Sequence, residues 1–289
     1  MDIARVEIRP VLPGFHQFIS NWLIRDDLNL LVDVGPANGG PGLLEDLRAL
    51  GLDRLDYVLI THIHMDHCGA LAQVMERYPT ARVICHEKAV PHLQDPGRLW
   101  EATQKALGEI GAAYGTPAPV PVERLIPHPE ASLKGLGVIE TPGHAVHHLS
   151  FTYKGALFAG EAGGNYARVG DDEYLRPPTP PKLLLDVFLE SVDRLFALDD
   201  MPIYYGHFGA GDSSRRLLKE FRDQIGLWRR TISEQMTEDR DGLVERCIDI
   251  LVETDPHLKG LRHMDADMRK RERYFITNSV KGFIGYLNP

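Results

Sequence analysis

The densest run of chemistry-bearing side chains in this 289-residue sequence is Thr61-His62-Ile63-His64-Met65-Asp66-His67-Cys68-Gly69. It directly follows the apolar run at 57–60, which reads as a buried strand. In extended backbone, side chains at i and i+2 share a face, so His62 and His64 can grip one ion while Asp66 and His67, at the following turn, point toward a neighbouring one. The spacing therefore anticipates two metals. Imidazole and carboxylate are the ligands preferred by zinc and, with adjustment, by iron or manganese. A single histidine of this kind would usually be an ordinary core or surface residue; several ligand types crowded at one strand end reverse that expectation. Three more segments end a strand with a ligand-type residue: Glu140-Thr141-Pro142-Gly143-His144, Leu157-Phe158-Ala159-Gly160-Glu161 and Tyr204-Tyr205-Gly206-His207. In each, a glycine lets the backbone turn sharply beside a crowded centre. Sites in layered αβ architectures sit where such strand ends converge.

Taken together, THxHxDHxG at 61–69, TPGHxxxH at 141–148, FAGE at 158–161 and GH at 206–207 resemble the metallo-β-lactamase superfamily, in the right order and across most of residues 1–210. The opening stretch, IRPVLPG through NWLI to LLVDVG, is also similar to that fold's first strands. The resemblance implies an α+β fold, a four-layer αββα sandwich of two mixed sheets with helices on both outer faces. It also implies that His62, His64 and His144 hold a first metal and Asp66, His67 and His207 a second, with Glu161 in the place of the carboxylate that bridges both. The common pattern has Asp there. The extra methylene of Glu means that either the strand end retreats or one oxygen binds only one metal. His148 matches a histidine that is not a direct ligand in the family and is expected behind the centre, as is Asp33, an orienting partner for His62 or His64. His147 is expected to face solvent or the pocket, and Cys68 to be buried. His86, Glu87, His92 and His128 show no ligand spacing.

Two dications about 3.5–4 Å apart would lower the pKa of a shared water toward ~7 and polarise a carbonyl oxygen. The expected activity is hydrolysis of an ester, thioester or lactone of a small molecule, with Asp66 and Glu161 serving the chemistry as well as the metals. Within the superfamily, one such domain followed by a short helical extension is more similar to the glyoxalase II, thioesterase and lactonase branches than to true β-lactamases. Two other readings stay open: a non-haem iron enzyme acting on oxygen or a persulfide, and a metal-binding protein that senses or scaffolds.

The elements that must position these residues can be read from pattern. Runs at 3–12, 18–24 and 28–34 read as a strand meander, 41–52 as an amphipathic helix ending at Gly51, 69–78 as a helix and 82–85 as a strand. A helical stretch at 97–115 and a proline-rich connector precede strands at 122–126, 136–141, 148–153 and 156–160. Residues 162–181 read as a long loop bordering the site, with Tyr166 and Arg176 as candidate substrate contacts. A helix with Leu184, Phe188, Val192 and Leu195 leads to a strand at 202–205. The metal-binding domain is placed at 1–211. From 212 to 289 three apolar stripes at helical spacing predict a helical extension that docks on the main domain, pairs in a homodimer or caps the site.

Composition narrows the partners. The chain is 43% hydrophobic and 25% charged, the balance of a globular protein. Lys+Arg 32 against Asp+Glu 41 leaves a net charge of −9, which argues against nucleic acid as partner. The basic run Arg269-Lys270-Arg271-Glu272-Arg273 reads as a solvated helix face, with the holding of an anionic substrate tail as the other reading. Three cysteines without paired spacing fit a reducing cytoplasm. Neither an export signal nor a membrane span is expected from the hydropathy pattern.

Overall fold

The structure, a computed structural model, describes residues 1–178, 183–237 and 241–288. Strands β1 (Asp2–Glu7), β2 (Ser20–Arg25) and β3 (Asn29–Val32) form the expected antiparallel meander. Strands β4 (Tyr57–Leu59), β5 (Arg82–Cys85) and β6 (Leu125–Pro127) then add in parallel, completing a six-stranded mixed sheet in sequence order. Parallel neighbours need crossovers. These carry α1 (Gly40–Ala49), α2 (Met65–Cys68), α3 (Leu71–Arg77), α4 (Val90–Gln94), α5 (Gly97–Leu107) and α6 (Glu109–Ala113).

The second sheet contains β7 (Leu136–Glu140), β8 (Leu149–Tyr153) and β9 (Ala156–Gly160). A separate hairpin, β10 (Asn165–Val169) with β11 (Asp172–Arg176), follows. Then come α7 (Leu185–Phe196), β12 (Ile203–Tyr205) and β13 (Ala210–Gly211). The strand order is β13-β12-β9-β8-β7, with β12 parallel to β9. Helices α8 (Ser214–Gln235), α9 (Leu243–Thr254) and α10 (Ala266–Leu287) complete the chain.

Alternation along the strands explains the layering. Trp22, Ile24, Leu30, Val32 and Leu59 of the first sheet meet Leu149, Phe151, Tyr153 and Phe158 of the second in one inter-sheet core. Leu23, Leu31 and Val58, on the opposite face, pack with Leu43 and Leu47 of α1 and with Leu71 and Val74 of α3. On the outer face of the second sheet, Leu157 and Ala159 share a core with Phe188 of α7, Phe221 and Trp228 of α8, Ile248 of α9 and Phe283 of α10. Strands buried on both faces are nearly continuous apolar runs for this reason. The result is the expected αββα sandwich, and the C-terminal helices share the core of its second half.

Two expectations are corrected. The first strand ends at Glu7, not at residue 12, because the Pro10 that follows has no N–H to offer the ladder. The long loop expected at 162–181 contains the β10–β11 hairpin, closed by the two-residue turn Gly170-Asp171. The end of that predicted loop, 179–181, lies outside the described residues.

Candidate metal centre

Four strand ends converge at one edge of the sandwich. After β4 the chain stays extended through His64 and then enters α2, which carries Asp66 and His67. His144 follows β7, Glu161 directly follows β9, and His207 follows β12. Glycine allows the approach at two of these ends. A Cβ on Gly160, where φ is +57°, would lie 2.6 Å from His148 Nε2, and one on Gly206 would lie 2.8 Å from His67 Cε1. Two groups of ligand-type residues result: His62, His64, His144 and Glu161, and beside them Asp66, His67 and His207.

The histidine tautomers are set from behind. His67 Nδ1 lies 2.9 Å from Asp33 Oδ2, His144 Nδ1 lies 2.6 Å from the Pro178 carbonyl, and His207 Nδ1 lies 3.1 Å from the Phe18 carbonyl. None of these partners can donate, so each Nδ1 carries a hydrogen and each Nε2 is the atom that can offer a lone pair to a metal. His62 reaches the same state through Thr61. The Thr61 hydroxyl donates to Asp33 Oδ2 at 2.8 Å and accepts from His62 Nδ1 at 3.0 Å. The free nitrogens are crowded together: His64 Nδ1 is 3.0 Å from His62 Nε2 and 2.9 Å from His144 Nε2, and His67 Nε2 is 3.2 Å from His207 Nε2. Lone pairs brought this close repel unless a cation lies among them, so this donor set fits divalent metal.

The carboxylates complete the electrostatics. Glu161 Oε2 lies 2.8 Å from His144 Nε2, 3.3 Å from His62 Nε2 and 3.6 Å from His67 Nε2, while Oε1 lies 3.5 Å from His207 Nε2. One side chain thus reaches both groups. Burial alone would raise its pKa, but His144 and His207 hold it well below the usual carboxylate range. Asp66 is likewise opposed by burial and is held down, to about 2, by His67 and His207. Burial and the neighbouring His144 push His64 down to about 3, so this ring is neutral and its lone pair available.

Other expected residues have definite places. Asp33, expected to orient His62 or His64, reaches His62 through the Thr61 hydroxyl and in addition bonds His67 directly. His148 is buried behind the centre with both nitrogens engaged. Its Nε2 accepts from the Glu161 backbone N–H at 3.0 Å, and its Nδ1–H starts a chain through Thr141 Oγ1 and Ser150 Oγ to the Ala159 carbonyl. Cys68 is buried, and His147 lines the cavity over the centre.

The two candidate substrate contacts part company. Tyr166 is not at the cavity: its hydroxyl donates to Glu173 at 2.8 Å and its ring stacks on Tyr205. Arg176 does line the cavity, but it is buried, with its Nε 2.6 Å from Glu272 Oε2. The basic run around 269–273 is correspondingly not all solvated face. Glu272 pairs with Arg176, and Arg271 is buried against the carbonyls of Gly14 and His16.

Sequence reasoning missed Asn165. With its amide oriented by its neighbours, its nitrogen donates to Glu161 Oε1 at 3.0 Å and its oxygen accepts from Arg176 Nη2 at 3.1 Å. No local motif marks it, because the hairpin that carries it was read as loop. Sequence reasoning also found no ligand spacing at His86 and His128, yet they cluster with Glu140. There, however, both Nδ1 atoms accept backbone N–H groups, from Lys88 at 3.1 Å and Glu87 at 3.2 Å, so each Nε2 carries a hydrogen and cannot ligate. His128 donates its own to Glu140 at 3.0 Å. In this cluster His128 bonds the carboxylate, and the His86 ring packs beside the His128 ring, their centroids 4.5 Å apart.

A fold of two mixed sheets between helices, with a histidine- and carboxylate-rich constellation at converging strand ends, is that of the metallo-beta-lactamase superfamily, whose sequence pattern matches residues 16–207; the chain belongs to it. Among its relatives is a metallo-beta-lactamase fold-containing protein of Sulfurisphaera tokodaii, 28% identical over 82% of this chain and 87% of the relative. A hydroxyacylglutathione hydrolase of Aeromonas salmonicida is 30% identical over 64% of this chain, which spans 59% of that relative's length. The crystal structure of an archaeal superfamily protein from Sulfolobus tokodaii superposes with a TM-score of 0.70 at 21% identity, covering 98% of both chains. Among the described residues, no helix is long and apolar enough to cross a membrane.

Proposed function

We propose that the chain is a metal-dependent hydrolase of small-molecule esters or thioesters, lactones being cyclic members of the same class. The observation that carries this reading is the inward-facing lone pairs of the buried histidines, fixed by hydrogen bonds on their far sides. His62, His64 and His144 would hold one divalent ion and Asp66, His67 and His207 a second, with Glu161 shared between them. Zinc suits this set, and iron and manganese suit it by the same ligand chemistry. A pair of such ions supplies an activated water and polarises a carbonyl.

The chain's own residues do the rest. Asp66, ionised at any working pH, can hold the attacking water by accepting its hydrogen at a carboxylate oxygen. Phe18 and Met65 line the cavity beside these ligands and would limit the access of bulk water. In the reaction, the water oxygen joins the acyl carbon and the acyl–oxygen or acyl–sulfur bond breaks. One proton leaves with the alcohol or thiol and the other passes to solvent. A relative named for hydroxyacylglutathione hydrolysis supports an acyl substrate.

The test is metal analysis combined with a panel of an ester, a thioester and a lactone. Two equivalents of metal are expected, together with turnover that chelation removes. His62→Ala should lower kcat/KM by at least about a hundredfold, the scale on which losing a centre's electrostatics is felt, while far-ultraviolet circular dichroism stays that of the parent. Full turnover in chelated protein, or none on any member of a panel offered to the metal-loaded protein, would overturn the proposal.

A further inference from the structure

We propose that the cavity over the metal centre selects an uncharged, apolar acyl or alkyl chain, with α5 as the wall against which that chain lies. This rests on the hydrolase reading for the bond that is cleaved, but not for the shape and chemistry of the cavity. The cavity measures about 360 Å³ and opens directly onto His64, Asp66, His144, Glu161 and His207.

The first observation concerns α5. An amphipathic helix in a layered domain buries its apolar stripe against the core. Yet α5, eleven residues long, has no fully buried residue: Leu99, Trp100 and Leu107 are only partly buried where they pack on the core beneath the first sheet. Leu99 and Leu107, together with Ala102 and Ala106, also line the cavity. Ala102 and Ala106, four apart, are neighbours on one face and form a floor of small side chains. Tyr114 and, from α10, Phe275 also line the cavity. The apolar surface of α5 that the core leaves uncovered is therefore open to an occupant.

The second observation is electrostatic and independent of the first. The one Lys or Arg among the described lining residues is Arg176. Its Nε is committed to Glu272 at 2.6 Å and its Nη2 to Asn165 at 3.1 Å, and both Arg176 and Glu272 are buried. A substrate with an anionic tail, such as a glutathione thioester, would meet no Lys and no second Arg among these lining residues, and its carboxylates would be poorly solvated.

A chain-length series tests this. The protein as purified is assayed on p-nitrophenyl esters from acetyl to decanoyl, and separately titrated calorimetrically with 1-octanol. From the transfer energy of a methylene, kcat/KM should rise about fourfold per added carbon until the cavity is filled, and 1-octanol should bind where ethanol does not. Ala106→Trp, at an exposed helix position that tolerates the change, should move the optimum to shorter chains and weaken 1-octanol binding. Leu99→Asp should flatten the series. Hydrolysis that is equal across chain lengths, or faster for a glutathione thioester than for an octanoyl thioester, would overturn the apolar cavity and leave the hydrolase reading standing. Binding of 1-octanol, lost in Ala106→Trp, without hydrolysis of any ester would support the cavity and overturn the hydrolase reading.

Discussion

Glu161 is one methylene longer than the aspartate that the superfamily resemblance leads one to expect, and the structure uses that length. One oxygen sits among His62, His67 and His144 while the other meets His207 and the Asn165 amide. Oε2 thus reaches both groups, while Oε1 meets a histidine of the second group only. A backbone N–H held by His148 fixes where the side chain starts, and Asn165 fixes where it ends. Glu161→Asp should therefore be unable to serve both groups. The expected outcome is a fall in bound metal from two equivalents toward one, read by elemental analysis, and a loss of at least about tenfold in kcat/KM, the scale on which misplaced supporting groups act. Unchanged stoichiometry would show that the length of Glu161 is incidental.

At the scale of elements, the hairpin β10–β11 and helix α10 are tied by a buried ion pair. Glu272 accepts from Arg176 Nε at 2.6 Å, from Arg271 Nε at 2.7 Å and from the Tyr174 hydroxyl at 2.8 Å. Burial opposes its ionisation, but Arg176 and Arg271 hold the carboxyl at about 2, below its ordinary 4.5. A carboxyl depressed on folding contributes stability that is fully present above pH 4.5 and disappears as pH falls toward 2. Glu272→Gln leaves buried arginines short of charge and should cost about 3–5 kcal/mol near neutrality. Thermal unfolding of both proteins from pH 7 to pH 3 should show that gap narrowing below pH ~4.5. A constant gap would mean that the contribution is packing rather than charge. Because Asn165 links this pair to Glu161, the same variant should also weaken the hold on the centre.

For the whole molecule, what was legible in the sequence was what chemistry repeats locally. Histidines at i and i+2 after an apolar strand, glycine before His144, Glu161 and His207, and apolar stripes at helical spacing all report on one element at a time. The αββα layering could be inferred from them, together with the resemblance. What was not legible depends on elements meeting. Asp33 serves His67 because β3 lies beside β4 in register, a pairing that spans 28 residues to Thr61. His86 and His128 come together because β5 pairs with β6, and only their backbone partners show that they are not a metal site. Tyr166 and Arg176 looked alike as polar residues of a loop, but a hairpin register sends one toward Glu173 and the other into a buried pair. The apolar face of α5 could be read as amphipathic, but nothing in the sequence showed that it faces a cavity.

The account stands on the claim that seven side chains between His62 and His207 hold two ions. Crystals of the protein, with X-ray data collected on both sides of the absorption edge of the metal found by elemental analysis, test it directly. Two anomalous peaks are predicted: one among His62, His64, His144 and Glu161, and one among Asp66, His67, His207 and the same Glu161. A metal-loaded crystal with no peak there, or with these nitrogens turned away from the peaks, would contradict it.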